Sequence, residues 1–176
     1  MNLRLKRTPG IYLVGFMASG KSTIGRHLAE RLGWSFIDID DEIEAAQRTR
    51  IADIFQARGE AEFRRIELET IREHVGRIGR GLPAVVALGG GAFVEAANRE
   101  LLATGGISVW LDCPLSMVRR RVSLNDDRPL ARDPQQFAAL YTSRRKAYRL
   151  ADLRVPVETD AAAEVVEAIL SHPYFK

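Results

Sequence analysis

The chain has 176 residues, 46% hydrophobic and 28% charged, ordinary values for one globular domain with enough length to bury a core. No apolar stretch approaches a bilayer span, so neither a membrane protein nor a disordered chain is expected. Lys and Arg number 26 against 23 Asp and Glu, a net charge of +3 that suits an anionic ligand and is too small to argue for nucleic acid. Only Lys6, Lys21, Lys146 and Lys176 are lysines; the other cations are arginines, the planar forks that suit carboxylates and phosphates. The single cysteine, Cys113, excludes an internal disulfide, and His27, His74 and His172 form no HExxH pair, so no zinc site is expected. The first ten residues, MNLRLKRTPG, are basic and lack an apolar h-region. The reading is a cytoplasmic monomer with no nucleic-acid or membrane partner.

In chain order, the β-rich runs IYLV (11–14), WSFIDI (34–39), AVVAL (84–88), ISVWL (107–111) and LRVPV (153–157) predict five strands. Helical patterns fill 21–32, 41–78, 95–103, 115–122, 134–150 and 161–170 between and after them. This alternation calls for a parallel sheet with right-handed crossovers, in a three-layer α/β domain spanning 1–176. Two stretches break the rhythm. Residues 41–78 are too long for one crossover helix and are punctuated by Gly59, after which Phe63, Ile66, Thr70, Ile71, His74, Val75 and Ile78 recur at helical spacing, so an inserted helical region is predicted. SLNDDRPLARD, at 123–133, is rich in turn formers and charges and reads as a mobile flap.

Immediately after the first strand, GFMASGKS (Gly15–Ser22) matches GxxxxGK[ST] and runs into the amphipathic TIGRHLAERL. A strand, a Gly-rich loop and a helix in that order place backbone N–H groups and a helix N-terminus around a polyphosphate. Lys21 then supplies a point charge and Ser22 a ligand for Mg²⁺. The second strand closes on Asp38-Ile39-Asp40, and strand alternation points both carboxylates to one side, towards the phosphates. One would hold the metal's water shell, the other orient or deprotonate an attacking hydroxyl. The third strand closes on Gly89-Gly90-Gly91, which gives up side chains so that a ligand can approach the backbone. No acid stands there to hold a metal, so Mg²⁺ would rely on Ser22 and, through water, Asp38.

In this order and at these spacings, GFMASGKST, FIDID, EFRRIE, ALGGG, DDRPL and SRRKAY resemble the shikimate kinase family of P-loop enzymes, from about Gly10 to Leu170. The resemblance implies a five-stranded parallel sheet in order 2-3-1-4-5, a helical substrate-binding insertion at about 41–78 and a lid at about 123–133. It implies transfer of the γ-phosphoryl of ATP, with Mg²⁺, to the 3-hydroxyl of shikimate in aromatic amino acid synthesis. By the same resemblance Ala18, Ser19, Gly20, Lys21, Ser22 and Thr23 hold the nucleotide, Arg121 stacks on its adenine, and Arg128 reaches the transferring phosphoryl from the lid. Asp38 becomes the outer Mg²⁺ ligand and Asp40 the base, with Lys21, Asp40 and Arg128 the catalytic set. Arg64 and Arg144 grip the substrate carboxylate beside a wall of Gly89, Gly90 and Gly91, and Glu67, one turn beyond Arg64, is spaced to fix its guanidinium. Choosing Arg64 over Arg65 and Arg144 over Arg145 follows the family's spacing. Ala18, where Gly is frequent, and Lys146, where Pro is frequent, depart from the pattern. His27, Cys113, Trp34 and Trp110 are assigned to packing. Rival readings are a kinase of another small metabolite such as gluconate, a kinase-like module that regulates without turnover, and a nucleic-acid binder.

Overall fold

A strand paired on both sides and covered on both faces has no place for polar side chains, and β1 (Gly10–Val14, GIYLV) is buried at every residue. The computed structural model of the chain describes residues 9–124 and 133–175. In it β2 (Ser35–Asp38), β3 (Ala84–Ala87), β4 (Ile107–Asp112) and β5 (Leu153–Pro156) join β1 in one parallel sheet. Ile11 stands opposite Val85 on one side and Ile107 on the other, and the order is 2-3-1-4-5, as expected. β5 lies at an edge, where its alternation of buried and exposed residues and its Pro156 are both tolerated.

The helices follow the sequence closely where periodicity is strong. α1 (Lys21–Leu32) buries Ile24, Gly25, Leu28 and Ala29 and ends on Gly33 in the left-handed region, whose N–H closes the last turn. His27 falls on the other side of α1 and is exposed, so it plays no part in the packing expected of it. Trp34 is half-buried against the core, and Cys113 and Trp110 lie within it. The insertion resolves into α2 (Ile39–Gln47), α3 (Ile51–Arg58) and α4 (Glu60–Gly79). Gly59, at φ 82°, makes the turn between the last two. α4 buries Phe63, Ile66, Ile71, His74, Val75 and Ile78, and with them Glu67. α5 (Ala96–Gly105), α6 (Leu115–Ser123), α7 (Pro134–Tyr148) and α8 (Ala162–Leu170) complete the layers. Of the expected flap, Ser123 closes α6 and Asp133 caps α7 by accepting from the N–H groups of Gln135 and Gln136. Residues 125–132 of the flap, Arg128 among them, lie outside the described residues. None of the described helices is long and apolar enough to cross a membrane.

The chain leaves β1 towards β2 on one side and leaves β3 towards β4 on the other. Adjacent strands with diverging connections open a crevice at their carboxyl ends, the standard ligand position in such sheets. The loops that meet there are Gly15–Gly20, after β1, and Gly89–Gly91, after β3.

Candidate active site

The loop after β1 folds into a cradle. Gly20 sits at φ 95° just ahead of α1, a conformation in which L side chains are strained, and Ala18 adopts φ 57° without that freedom. The first N–H groups of α1 have no side-chain cap and point into the loop, the arrangement that attracts anions. Lys21 Nζ donates to the carbonyls of Gly15 and Phe16, both at 2.9 Å, which holds the ammonium over the loop. Ser19 is fully buried. Its hydroxyl finds no hydrogen-bond partner among the described residues.

Asp38 and Asp40 reach the same cleft by a route other than strand alternation. β2 stops at Asp38, which becomes the N-cap of α2: its Oδ1 accepts from the Asp40 N–H at 3.1 Å. Asp40 therefore stands in the first helical turn, because a capping bond two residues on favours the helix over another residue of strand. The other oxygen, Asp38 Oδ2, accepts from Ser22 Oγ at 2.6 Å. Lys21, Ser22, Thr23, Asp38, Asp40, Gly89 and Gly90 all line a cleft of about 260 Å³. Burial pushes the Asp40 carboxyl above its ordinary range, Asp38 adds to the shift, and Lys21 opposes it.

The three glycines leave room for charged protein side chains. A Cβ on Gly89 would stand 2.8 Å from Asp40 Oδ1 and 3.3 Å from Glu67 Oε1, one on Gly90 would stand 3.0 Å from Arg144 Nη1, and one on Gly91 would collide with the Arg64 guanidinium. None has a left-handed φ, so it is the crowding by these side-chain ends, and not backbone conformation, that favours glycine here. Each glycine thus faces a different charged group, and the turn brings together α2, α4 and α7. Arg64 Nη1 donates to Glu67 Oε2 at 2.7 Å, while Arg65, one residue on, turns outward to Glu62 and Glu69. Glu67 is 0% exposed, and burial raises its carboxyl to about 7 against the pull of Arg64. Arg144 lies over the Phe16 ring at 5.7 Å, beside Tyr148, whose hydroxyl donates to the Gly90 carbonyl. Arg145 points away from the site: it pairs with the buried Asp112 and stacks on Trp110 at 4.8 Å.

Beyond the loop a second cavity, about 480 Å³, is lined by Ala18, Gly20, Thr23, Arg121, Thr159 and Asp160, among others. Arg121 Nη1 donates to the Ala18 carbonyl at 2.9 Å, so the arginine is fastened to the phosphate loop itself. Asp160 and Tyr148 were not singled out by sequence: an Asp before a helix reads as a cap, and a lone Tyr in a helix reads as core. Among the described residues no cluster of three or more His, Cys, Asp or Glu could hold a metal.

A phosphate cradle that opens a helix at the switch point of a parallel sheet, facing carboxylate and guanidinium groups across it, defines a P-loop phosphotransferase of the small-metabolite kinase build. The shikimate kinase family model matches residues 17–173. A shikimate kinase of Persephonella marina is 41% identical over 161 residues, 91% of this chain and 96% of that protein. The structure of a shikimate kinase from Acinetobacter baumannii in complex with shikimate superposes with a TM-score of 0.85 at 38% identity, covering 94% of this chain and 93% of that one. A gluconokinase from Sinorhizobium meliloti shares the fold alone, at 19% identity and a TM-score of 0.54 over 90% of this chain and 88% of that one. The chain belongs to the shikimate kinase family.

Proposed function

We propose that this chain transfers the γ-phosphoryl group of ATP to the 3-hydroxyl of shikimate, giving shikimate 3-phosphate and ADP. The observation that carries the reading is the Gly89–Gly91 turn, across which Asp40, Arg144 and Arg64 meet within reach of the Lys21 loop. A compact hydroxy acid fits that arrangement. Two guanidinium forks hold its carboxylate, which fixes the ring, and a hydroxyl is thereby presented to Asp40.

In this mechanism the phosphates lie along the N–H groups of residues 18–23, and the Lys21 ammonium exchanges the carbonyls of Gly15 and Phe16 for phosphate oxygens. Asp40 orients the acceptor hydroxyl and takes its proton as the new O–P bond forms and the bond to the β-phosphate oxygen breaks. Its raised pKa suits a proton acceptor better than an ordinary carboxylate would. Ser22 Oγ and Asp38 Oδ2, 2.6 Å apart at the start of α1, are hard oxygen donors that fit Mg²⁺, which takes few protein ligands and keeps most of its waters. When bound there, Mg²⁺ would neutralise phosphate charge. Arg121 faces the base cavity, and Arg128 is assigned to the transferring phosphoryl. The working unit in this reading is a cytoplasmic monomer, and a lone buried cysteine is compatible with the cytoplasm.

The deciding experiment is a coupled ADP-release assay with Mg²⁺ and ATP, comparing shikimate with gluconate and other hydroxy acids. Release that depends on shikimate is expected; release with gluconate and none with shikimate would overturn the reading.

A further inference from the structure

Asp160 is engaged more heavily than an exposed carboxylate in a connecting segment needs to be. Its Oδ1 accepts from Arg121 Nε at 3.1 Å and Nη2 at 2.8 Å, and its Oδ2 accepts from Arg120 Nη2 at 2.6 Å. An Asp next to the start of a helix is ordinarily spent on the first free N–H groups of that helix. Here α8 begins after Ala161 with no side-chain cap, and the Ala161 N–H donates instead to Thr159 Oγ1 at 3.0 Å. Asp160 is committed to the arginines. Arg121 is thereby held on two sides, by Asp160 at one edge of its guanidinium and by the Ala18 carbonyl of the phosphate loop at the other. Both Arg121 and Asp160 line the 480 Å³ cavity that continues from the loop.

We propose that Asp160 is a positioning residue for the nucleotide: it fixes Arg121 as a wall of the cavity that receives the adenine base, and it offsets the charge of Arg120 and Arg121 there. The inference rests on the nucleotide-binding reading above. A free arginine must be immobilised when a ligand arrives, which weakens binding, whereas one already held through both Nε and Nη2 by a carboxylate oxygen presents its flat face in advance. Neutralisation matters as well. Two uncovered guanidinium groups beside the phosphate loop would compete for the triphosphate, and the carboxylate between them leaves the loop as the preferred anion site.

The test compares the wild-type chain with Asp160→Ala and Asp160→Asn, using steady-state kinetics and calorimetry with ADP and with inorganic tripolyphosphate, which has no base. For Asp160→Ala the KM for ATP and the Kd for ADP should rise about twofold to fivefold, the range of an exposed ion pair. The loss should fall on KM rather than kcat, leave the shikimate KM in place and not weaken tripolyphosphate. Asp160→Asn, which keeps an acceptor without the charge, should lie between. Unchanged nucleotide affinity would overturn the inference, and so would equal weakening of ADP and tripolyphosphate, since Asp160 would then only support the loop. A wild-type chain that binds tripolyphosphate but gains nothing from the nucleoside would overturn the nucleotide reading itself.

Discussion

Around Lys21 the site is made of main chain, whereas around Gly89–Gly91 it is made of charged side chains drawn from α2, α4 and α7. The first half is local: one loop and the first turn of one helix supply the N–H groups, and their orientation is set by backbone dihedrals within a few residues. The second half is assembled from distant parts of the chain, and it carries ionised groups out of water. Such groups are costly unless paired, which explains why Glu67 stands behind Arg64 and why Asp40 has its carboxyl pushed upward. The contrast teaches that the phosphate half, Lys21 and Ser22 apart, tolerates side-chain change so long as the backbone holds, while the acid half depends on the identity of each charged group.

Breaking the acid half at its reacting atom should have the largest effect. Asp40→Asn keeps size and one acceptor but cannot take a proton, and turnover should fall about 10²-fold to 10⁴-fold while calorimetry shows ATP bound as before. A turnover close to wild type would remove Asp40 from the chemistry. The next test uses neighbours in sequence that face opposite ways. Arg144→Lys keeps the charge and loses the fork, so the shikimate KM should rise about tenfold or more, with stability little changed. Arg145→Lys should do the reverse, lowering the unfolding midpoint because Asp112, 7% exposed, loses its bidentate partner, and leaving the shikimate KM in place. Equal effects on KM from both would mean that the grip is not confined to Arg144.

The same contrast governs how far the sequence is legible. GxxxxGKS carries its own geometry, so loop, helix and Lys21 are readable from adjacent residues, as are the strands and the sheet order that the family pattern implies. The acid half has no such local code. Nothing in EFRRIE says that Glu67 is fully buried, because that follows from where α4 packs against α2 and the Gly89 turn. Alternation through Asp38-Ile39-Asp40 reaches the right cleft by the wrong backbone, since it ignores the competing cap that Asp38 offers the next helix. Asp160 and Asp112 are invisible for the same reason: their arginine partners lie 39 and 40 residues away from the first, and 33 and 42 from the second.

Glu67 permits a finer test through pH. Its carboxyl is raised from an ordinary 4.5 to about 7, so the folded chain holds that proton more tightly than the unfolded chain. The stability gained from this is complete below about pH 4.5 and is lost as pH rises through about 7. Glu67→Gln cannot titrate. The unfolding midpoint of wild type minus that of Glu67→Gln should therefore fall, by on the order of a few °C, between pH 5 and pH 8. A difference that stays constant would mean that Arg64 keeps Glu67 ionised throughout.

The smallest effect is expected where a side chain is changed in the main-chain half. Ala18 holds φ 57°, a conformation that costs an L residue about 1 kcal/mol or more and costs glycine almost nothing. Ala18→Gly relieves that strain but frees the unfolded chain and removes a methyl packed against the core, so the net gain should be only about 0.5 kcal/mol, roughly 1–2 °C in the unfolding midpoint. The carbonyl that accepts from Arg121 is untouched, and the ATP KM should stay within about twofold of wild type. A larger change in KM would show that the Ala18 methyl itself touches the nucleotide, and the phosphate half would then owe part of its affinity to an apolar side chain beside Lys21 and Arg121.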